Sequence, residues 1–237
     1  MGLTNAYSDA QLSKTPIEEE ILGGIRSFTA QIKRYYFLHL TRISNLASIF
    51  ENALFCRSVL LCRKMHFANL GNQDILERRG RWEEYVPLFF VPRTAMLYNI
   101  QHADGAGIGI DEICFINVEL PIIGQQVKMP DGEVRPCYVT DGNAASSRTR
   151  FFSVASDLKN VLHENISKEI LLKPPSSRRE WRRQRAAEIL VPWKIETRFL
   201  KSVVVFNRDC KDKARSVLGR NSLINIKEEK DYFFYDL

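Results

Sequence analysis

The sequence predicts a single α+β domain, and two observations carry that prediction. Short segments rich in β-branched and aromatic residues alternate irregularly with short helical patterns and long polar loops. No internal repeat, low-complexity tract or clear linker interrupts them. The 237 residues, 45% apolar and 26% charged, suffice for a core that needs neither disulfides nor a metal. Residues 1–34 read as an N-terminal extension, partly helical, and residues 35–237 as the domain.

The elements follow in order. Thr15-Pro16-Ile17-Glu18 opens a helix toward Lys33: Thr15 caps, Pro16 suits the first helical position, and Glu18 completes a capping box. Tyr35 to Thr41, rich in aromatics, reads as a strand. Ile43 to Asn52 sets Ile43, Leu46, Ala47, Ile49 and Phe50 at helical spacing. Asn72 to Glu84 reads as partly helical, and Val86 to Val91 as a short apolar strand cut by Pro92. A short helix or turn is expected from Arg93 to Ile100, and a buried strand from Ile113 to Leu120. Pro130-Asp131-Gly132 signals a turn before a strand from Val134 to Val139, and 140–149 is a small polar loop. After the break at Pro174-Pro175, a helix capped by Ser177 and Glu180 carries Arg178, Arg179, Arg182, Arg183 and Arg185. Ile189 to Val191, Ser202 to Phe206, Leu223 to Ile226 and Tyr232 to Tyr235 read as short strands, and Lys211 to Leu218 as a helix.

Thirty-four Lys and Arg against 28 Asp and Glu give a net charge of +6, which favours a polyanionic partner. The five cysteines form no C-x-x-C pair, so neither a zinc ribbon nor a thioredoxin-type motif is expected, and a reducing cytoplasm fits. Cys56, Cys62 and His66 are better read as thiols beside an unrelated imidazole than as metal ligands. The N-terminus lacks the apolar region of a secretory signal, and no apolar run approaches the ~20 residues that cross a bilayer. Gly105-x-Gly107-x-Gly109 lacks the strand-turn-helix context of a phosphate cradle and reads as a flexible loop. G-x-S-x-G and H-E-x-x-H are absent, which leaves hydrolase readings little support.

Several residues stand out chemically. Glu188 opens an apolar strand, a costly place for a carboxylate unless it is exposed, paired or functional. The alternative is a surface glutamate facing Arg182 or Arg185. His39 interrupts an apolar strand, either as a satisfied core histidine or as a ligand in a cleft. Arg78 and Arg79 sit in a charge run that suits a solvated face, and Arg93 lies at a strand end, where clefts often form. The arginine-rich helix suits either phosphate or nearby acids such as Glu180 and Asp157.

Four segments in order carry a resemblance. They are His39-Leu40-Thr41 with Asn45-Leu46; Glu77-Arg78-Arg79-x-Arg81 with Val86-Pro87-Leu88-Phe89-Phe90-Val91-Pro92-Arg93 and Met96-Leu97-Tyr98; Thr140-Asp141-Gly142-Asn143-Ala144-Ala145 with Arg150-Phe151-Phe152; and Ala187-Glu188-Ile189-Leu190-Val191. Together they resemble the DarT family of DNA ADP-ribosyltransferase toxins over residues 35 to 192, with weaker agreement at Tyr232-Phe233-Phe234. The resemblance implies an ADP-ribosyltransferase-like split, twisted β core with peripheral helices, holding NAD as co-substrate and needing no metal. It implies Glu188 as the catalytic glutamate and Arg78 near the reacting centre, with Arg79 one residue away as the alternative. His39, Thr41, Asn45, Arg93, Met96 and Tyr98 would line the NAD cleft. The loop 140–152 would meet single-stranded DNA through Asn143, Arg148 and Arg150, aided by Arg182 and by stacking on Phe151, Phe152 and Trp181.

The residue types suit that chemistry. A carboxylate can hold a ribose hydroxyl and stabilise an oxocarbenium-like ribose, and an arginine can hold phosphate or an anion developing on the base. The implied function is transfer of ADP-ribose to thymine or guanine, as a cytoplasmic toxin or phage-defence effector countered by a macrodomain antitoxin. The competing expectations are an RNA or protein acceptor, or a non-catalytic nucleic-acid-binding domain with salt-sensitive binding. Residues 153–180 and the first 34 residues lie outside the alignment.

Overall fold

The computed structural model describes residues 36–70, 77–102, 108–119, 127–129, 132–153, 185–219 and 222–234. The helix expected at 15–33 and all of the arginine-rich helix except Arg185 lie outside these residues. Twelve strands are described: β1 (Tyr36–Arg42), β2 (Leu54–Phe55), β3 (Tyr85–Phe89), β4 (Ile113–Glu119), β5 (Val127–Lys128), β6 (Val134–Arg135), β7 (Tyr138–Thr140), β8 (Phe151–Ser153), β9 (Glu188–Pro192), β10 (Lys194–Ile195), β11 (Leu200–Val205) and β12 (Asn225–Glu228). Four α-helices accompany them: α1 (Leu46–Glu51), α2 (Arg57–Cys62), α3 (Ala95–His102) and α4 (Arg208–Leu218).

Eight strands form one mixed sheet in the order β12-β11-β4-β1-β3-β9-β7-β8. Only β11 and β12 run parallel; the other neighbours are antiparallel. Both faces of the sheet are covered, which the alternation of side chains requires. Phe37, Cys114, Ile116, Val203 and Val205 point to one face, where Leu46 and Ile49 of α1 and Cys210 and Ala214 of α4 pack on them. Leu38, Leu40, Phe115 and Val204 point to the other, beneath Leu97 and Ile100 of α3 and Phe233.

The sheet is split at its centre. β1 and β4 pair along seven residues, and β3 and β9 along five, but β1 and β3 share the single pair Leu38↔Phe89. Pro87 marks the split. Its carbonyl accepts a hydrogen bond from His39 Nδ1 at 3.0 Å, so it faces β1. In an extended strand a residue's N–H and C=O point to the same side, so the N–H that proline lacks is missing toward β1. The two half-sheets diverge there, and a cleft opens between them.

Three expected elements differ. Val134 to Val139 divides in two at Pro136, where β6 turns back onto β5 while β7 joins the main sheet. Tyr232 to Tyr235 is no strand over its described part. Lys230–Tyr232 forms a 3-10 turn, and both backbone groups of Phe234 bond to the side chain of Gln101 on α3 instead of to a sheet. Leu223 to Ile226 starts later, at Asn225. The short elements β2, α2, β8 and β10 were not expected.

Candidate active site

Four strands and one turn assemble the site. Glu188 is the first residue of β9, opposite Phe89 of β3, in the same cross-strand row as the Leu38↔Phe89 pair at the split. Its side chain is only 1% exposed and forms an ion pair with Arg79, Nη2 to Oε2, at 2.7 Å. Arg79 ends the turn before a 3-10 segment, Gly80–Glu84. That geometry settles the neighbouring arginines: Arg79 turns inward to Glu188, and Arg78 is exposed. The alternative of a surface Glu188 does not hold, because the side chain is buried and its ion pair is with Arg79; Arg185 Nε donates to the Arg93 carbonyl at 2.7 Å, and Arg182 lies outside the described residues.

The second carboxylate oxygen, Oε1, is buried with no hydrogen-bond partner among the described residues. Burial pushes the Glu188 carboxyl above the ordinary carboxylate range. The charge and hydrogen bond of Arg79 pull it back in part, as does the nearby Ala144 amide, whose contact falls short of a full hydrogen bond. An orphaned acceptor of this type costs about 1–3 kcal/mol, a cost characteristic of sites held ready for a ligand donor.

The backbone of Glu188 is fixed by Thr140 at the end of β7. The Thr140 hydroxyl accepts the Glu188 N–H at 2.8 Å and donates to the Gly142 carbonyl at 2.6 Å. The loop beyond is closed on itself. Buried Asp141 takes the Arg150 N–H at 2.9 Å and Arg150 Nε at 2.8 Å, Asn143 Oδ1 takes the Ala145 N–H, and the Thr149 hydroxyl donates to the Asn143 carbonyl. The expected DNA-contact residues Asn143, Arg148 and Arg150 all lie on this loop, Arg148 exposed and Arg150 with its guanidinium over Phe152 at 5.4 Å. Arg182 and Trp181 lie outside the described residues.

The cleft at the split holds about 1040 Å³ of space, open solvent included. His39, Thr41, Asn45 and Met96, four of the six residues that the resemblance assigns to NAD, line it together with Arg79. His39 is held neutral: burial, and secondarily the Arg79 charge, lower its pKa to about 4 against the raising effect of the Pro87 bond. With Nδ1–H donating to Pro87, the other ring nitrogen, Nε2, is an acceptor. Asn45 spends its amide on the wall. Its Nδ2 donates to the Ala68 carbonyl at 2.9 Å and its Oδ1 accepts the Ala68 N–H at 2.8 Å, a side-chain copy of a β-bridge. Arg42 and Arg57 bind Asn69 beside it, which completes the hold on residues 68–69.

Arg93 and Tyr98 are not on this cleft. Arg93 Nε donates to the Asp231 carbonyl at 3.0 Å, its guanidinium lies 5.7 Å from the Phe234 ring, and Tyr98 packs edge-on against the same ring. Both clamp the segment 231–234, a use that the strand-end position of Arg93 did not reveal. The sequence reading also missed Trp82, Thr140 and Asp141 as site residues; only the Thr-Asp-Gly-Asn turn pattern pointed to the last two.

Among the described residues no cluster of His, Cys, Asp and Glu could hold a metal, and no helix is long and apolar enough to cross a membrane. A family model described as ssDNA thymidine ADP-ribosyltransferase, DarT, matches residues 38–234. The chain belongs to the DarT family. A DNA ADP-ribosyl transferase–DNA ADP-ribosyl glycohydrolase fusion protein of Thermosipho africanus is 27% identical over 212 residues, 83% of this DarT-family chain and 48% of that protein. The chain thus spans about half the length of that relative. A Thermus sp. 2.9 DarT in complex with ADP-ribosylated ssDNA superposes with a TM-score of 0.66 at 20% identity, over 85% of this chain and 99% of that one. The same Thermus protein in complex with NAD+ gives a TM-score of 0.59 at 18% identity, over 84% and 96%. These structural likenesses establish the α+β fold.

Proposed function

We propose that this chain transfers ADP-ribose from NAD to thymidine in single-stranded DNA. The observation that carries the reading is the buried Glu188–Arg79 pair with its unpartnered Oε1, whose arginine lines the cleft at the split. Oε1 is placed to accept a ribose hydroxyl. The carboxylate beside it then stabilises the positive charge that grows on the ribose as the bond to nicotinamide breaks. The nicotinamide leaves neutral, a bond forms from the ribose carbon to the base, and the base loses a proton. A carboxyl whose pKa is raised by burial is matched to take that proton. The Arg79 guanidinium stabilises anionic character on the acceptor or on phosphate. His39 Nε2 and the Thr41 hydroxyl offer acceptor and donor to the NAD sugar in the cleft, and Asn45 supports their wall.

Arg78 therefore yields the catalytic role to Arg79 in this reading. Arg93 and Tyr98 support the C-terminal segment instead of touching NAD. Arg148 and Arg150 face the acceptor strand, whose base must be unpaired to reach Glu188. The Thermosipho fusion, which joins a transferase to a glycohydrolase, supports a toxin whose partner antitoxin removes the modification, whether in toxin–antitoxin balance or phage defence. All five cysteines are thiols, which supports the cytoplasm as the place of action.

The test is transfer from labelled NAD to short single-stranded oligonucleotides by wild type and Glu188→Ala. Label on thymidine that vanishes with the variant is expected. Label on guanine, RNA or protein would redirect the acceptor, and intact NAD with salt-sensitive binding would leave only a binding module.

A further inference from the structure

Contacts run in a closed circuit around the reacting pair. Glu188 N–H bonds to Thr140; Asp141 follows and binds Arg150; Phe151 follows and stacks on Trp82; the Trp82 N–H bonds to the Arg79 carbonyl at 3.0 Å; and Arg79 returns to Glu188. Every link but one is a hydrogen bond or an ion pair, or a peptide bond between neighbours. The exception is the Trp82–Phe151 stack, with ring centroids 4.1 Å apart and planes 7° from parallel. Tyr85 and Tyr138 brace Trp82 at its edges, at 5.4 and 5.3 Å, and the Arg81 guanidinium lies 4.5 Å from its centroid.

We infer that the Trp82–Phe151 stack is a positioning joint: it ties the turn carrying Arg79 to the acceptor loop anchored at Thr140, and so holds Arg79 against Glu188. The inference rests on reading those two residues as the reacting pair. Two observations carry it. Trp82 lies one 3-10 turn beyond Arg79, so any movement of its ring moves the Arg79 backbone. Phe151 opens β8, is half-buried and gives one ring face to Trp82, so that face is closed to a base. Phe152 likewise packs against the core beside Val139. The acceptor loop and the Arg79 turn thus shift together or not at all, and an acceptor strand that moves the loop also moves the charge beside Glu188.

The principal variant is Phe151→Ala, because Phe151 does not line the NAD cleft. It is compared with Phe151→Tyr and Trp82→Phe, which preserve a stack. Crystal structures give the Arg79–Glu188 separation, and steady-state transfer gives kcat and the KM values for NAD and oligonucleotide. For Phe151→Ala we expect the pair to open beyond hydrogen-bond distance and kcat to fall by ~10–100-fold, with both KM values little changed. Both stack-preserving variants should recover most of the rate. A pair still closed in Phe151→Ala at full kcat overturns the inference, and so does a raised oligonucleotide KM at unchanged kcat, which would make Phe151 a base platform. If Phe151→Ala does not fold, Trp82→Phe decides: a folded Trp82→Phe protein whose pair has opened overturns it, and one with the pair closed supports it. If wild type transfers nothing, the functional reading falls, while the Arg79–Glu188 separation in the variants still decides the role of the stack.

Discussion

Replacing Glu188 by Gln separates function from stability with almost no change of shape. The glutamine carbonyl can still accept from Arg79, but the negative charge is gone. A positioned base or electrostatic partner contributes ~10²–10⁴ in rate, so transfer should fall at least ~100-fold, about 3 kcal/mol or more in the barrier. Stability should move the other way. Burial outweighs Arg79 in setting the Glu188 pKa, so the folded protein holds this proton more tightly than the unfolded chain does. An acid with a raised folded pKa contributes most below its unfolded pKa, and that contribution is lost as pH rises through the folded value. Each unit of upward shift corresponds to about 1.4 kcal/mol. Glu188→Gln removes this loss, so its Tm at neutral pH should equal or exceed that of wild type, while the two proteins converge at acidic pH. Thermal melts across pH 4 to 8, taken with the transfer assay, test both halves. A variant that transfers within about threefold of wild type refutes the catalytic reading. One that melts well below wild type at neutral pH refutes the claim that burial dominates.

Three further outcomes follow from the same geometry. Arg79→Ala should cost transfer ~100-fold or more, whereas exposed Arg78→Ala should stay within about threefold; equal losses would contradict the inward placement of Arg79. His39, with its pKa lowered to about 4, should show no imidazole titration by NMR between pH 5 and 8, and its buried neutral form should cost the protein stability as pH falls from about 6.5 toward 4. Asn45→Ala frees the Ala68 backbone and should raise the KM for NAD several-fold with little change in kcat, read by steady-state kinetics; a kcat loss alone would place Asn45 at the reaction and not in the wall.

The sequence made the central strands legible because β1, β3, β4 and β9 are apolar runs bounded by clear breaks. Glu188 stood out because a carboxylate at the start of such a run needs a reason. Arg78 and Arg79 could not be separated, since neighbouring positions in a charge run look alike and only the turn before Gly80 decides which side chain points inward. The roles of Arg93 and Tyr98 were hidden for a different reason. Their partners, Asp231 and Phe234, lie more than 130 residues away, and the aromatic end that looked like a strand satisfies its backbone through Gln101. The short pieces β2, α2 and β10 carry too few residues for any periodicity to show. The Trp82–Phe151 stack likewise joins two segments nearly 70 positions apart and leaves no local pattern.

Pro87 lies at the middle of an eight-stranded sheet, where proline is ordinarily excluded. A residue with an N–H at this position would offer β1 a donor, and the seam could extend beyond Leu38↔Phe89 by the same ladder that joins β1 to β4. The opening would then heal from within, with no charged or hydrogen-bonding side chain of the site altered. The cleft between the half-sheets is therefore kept open by an atom the chain does not have.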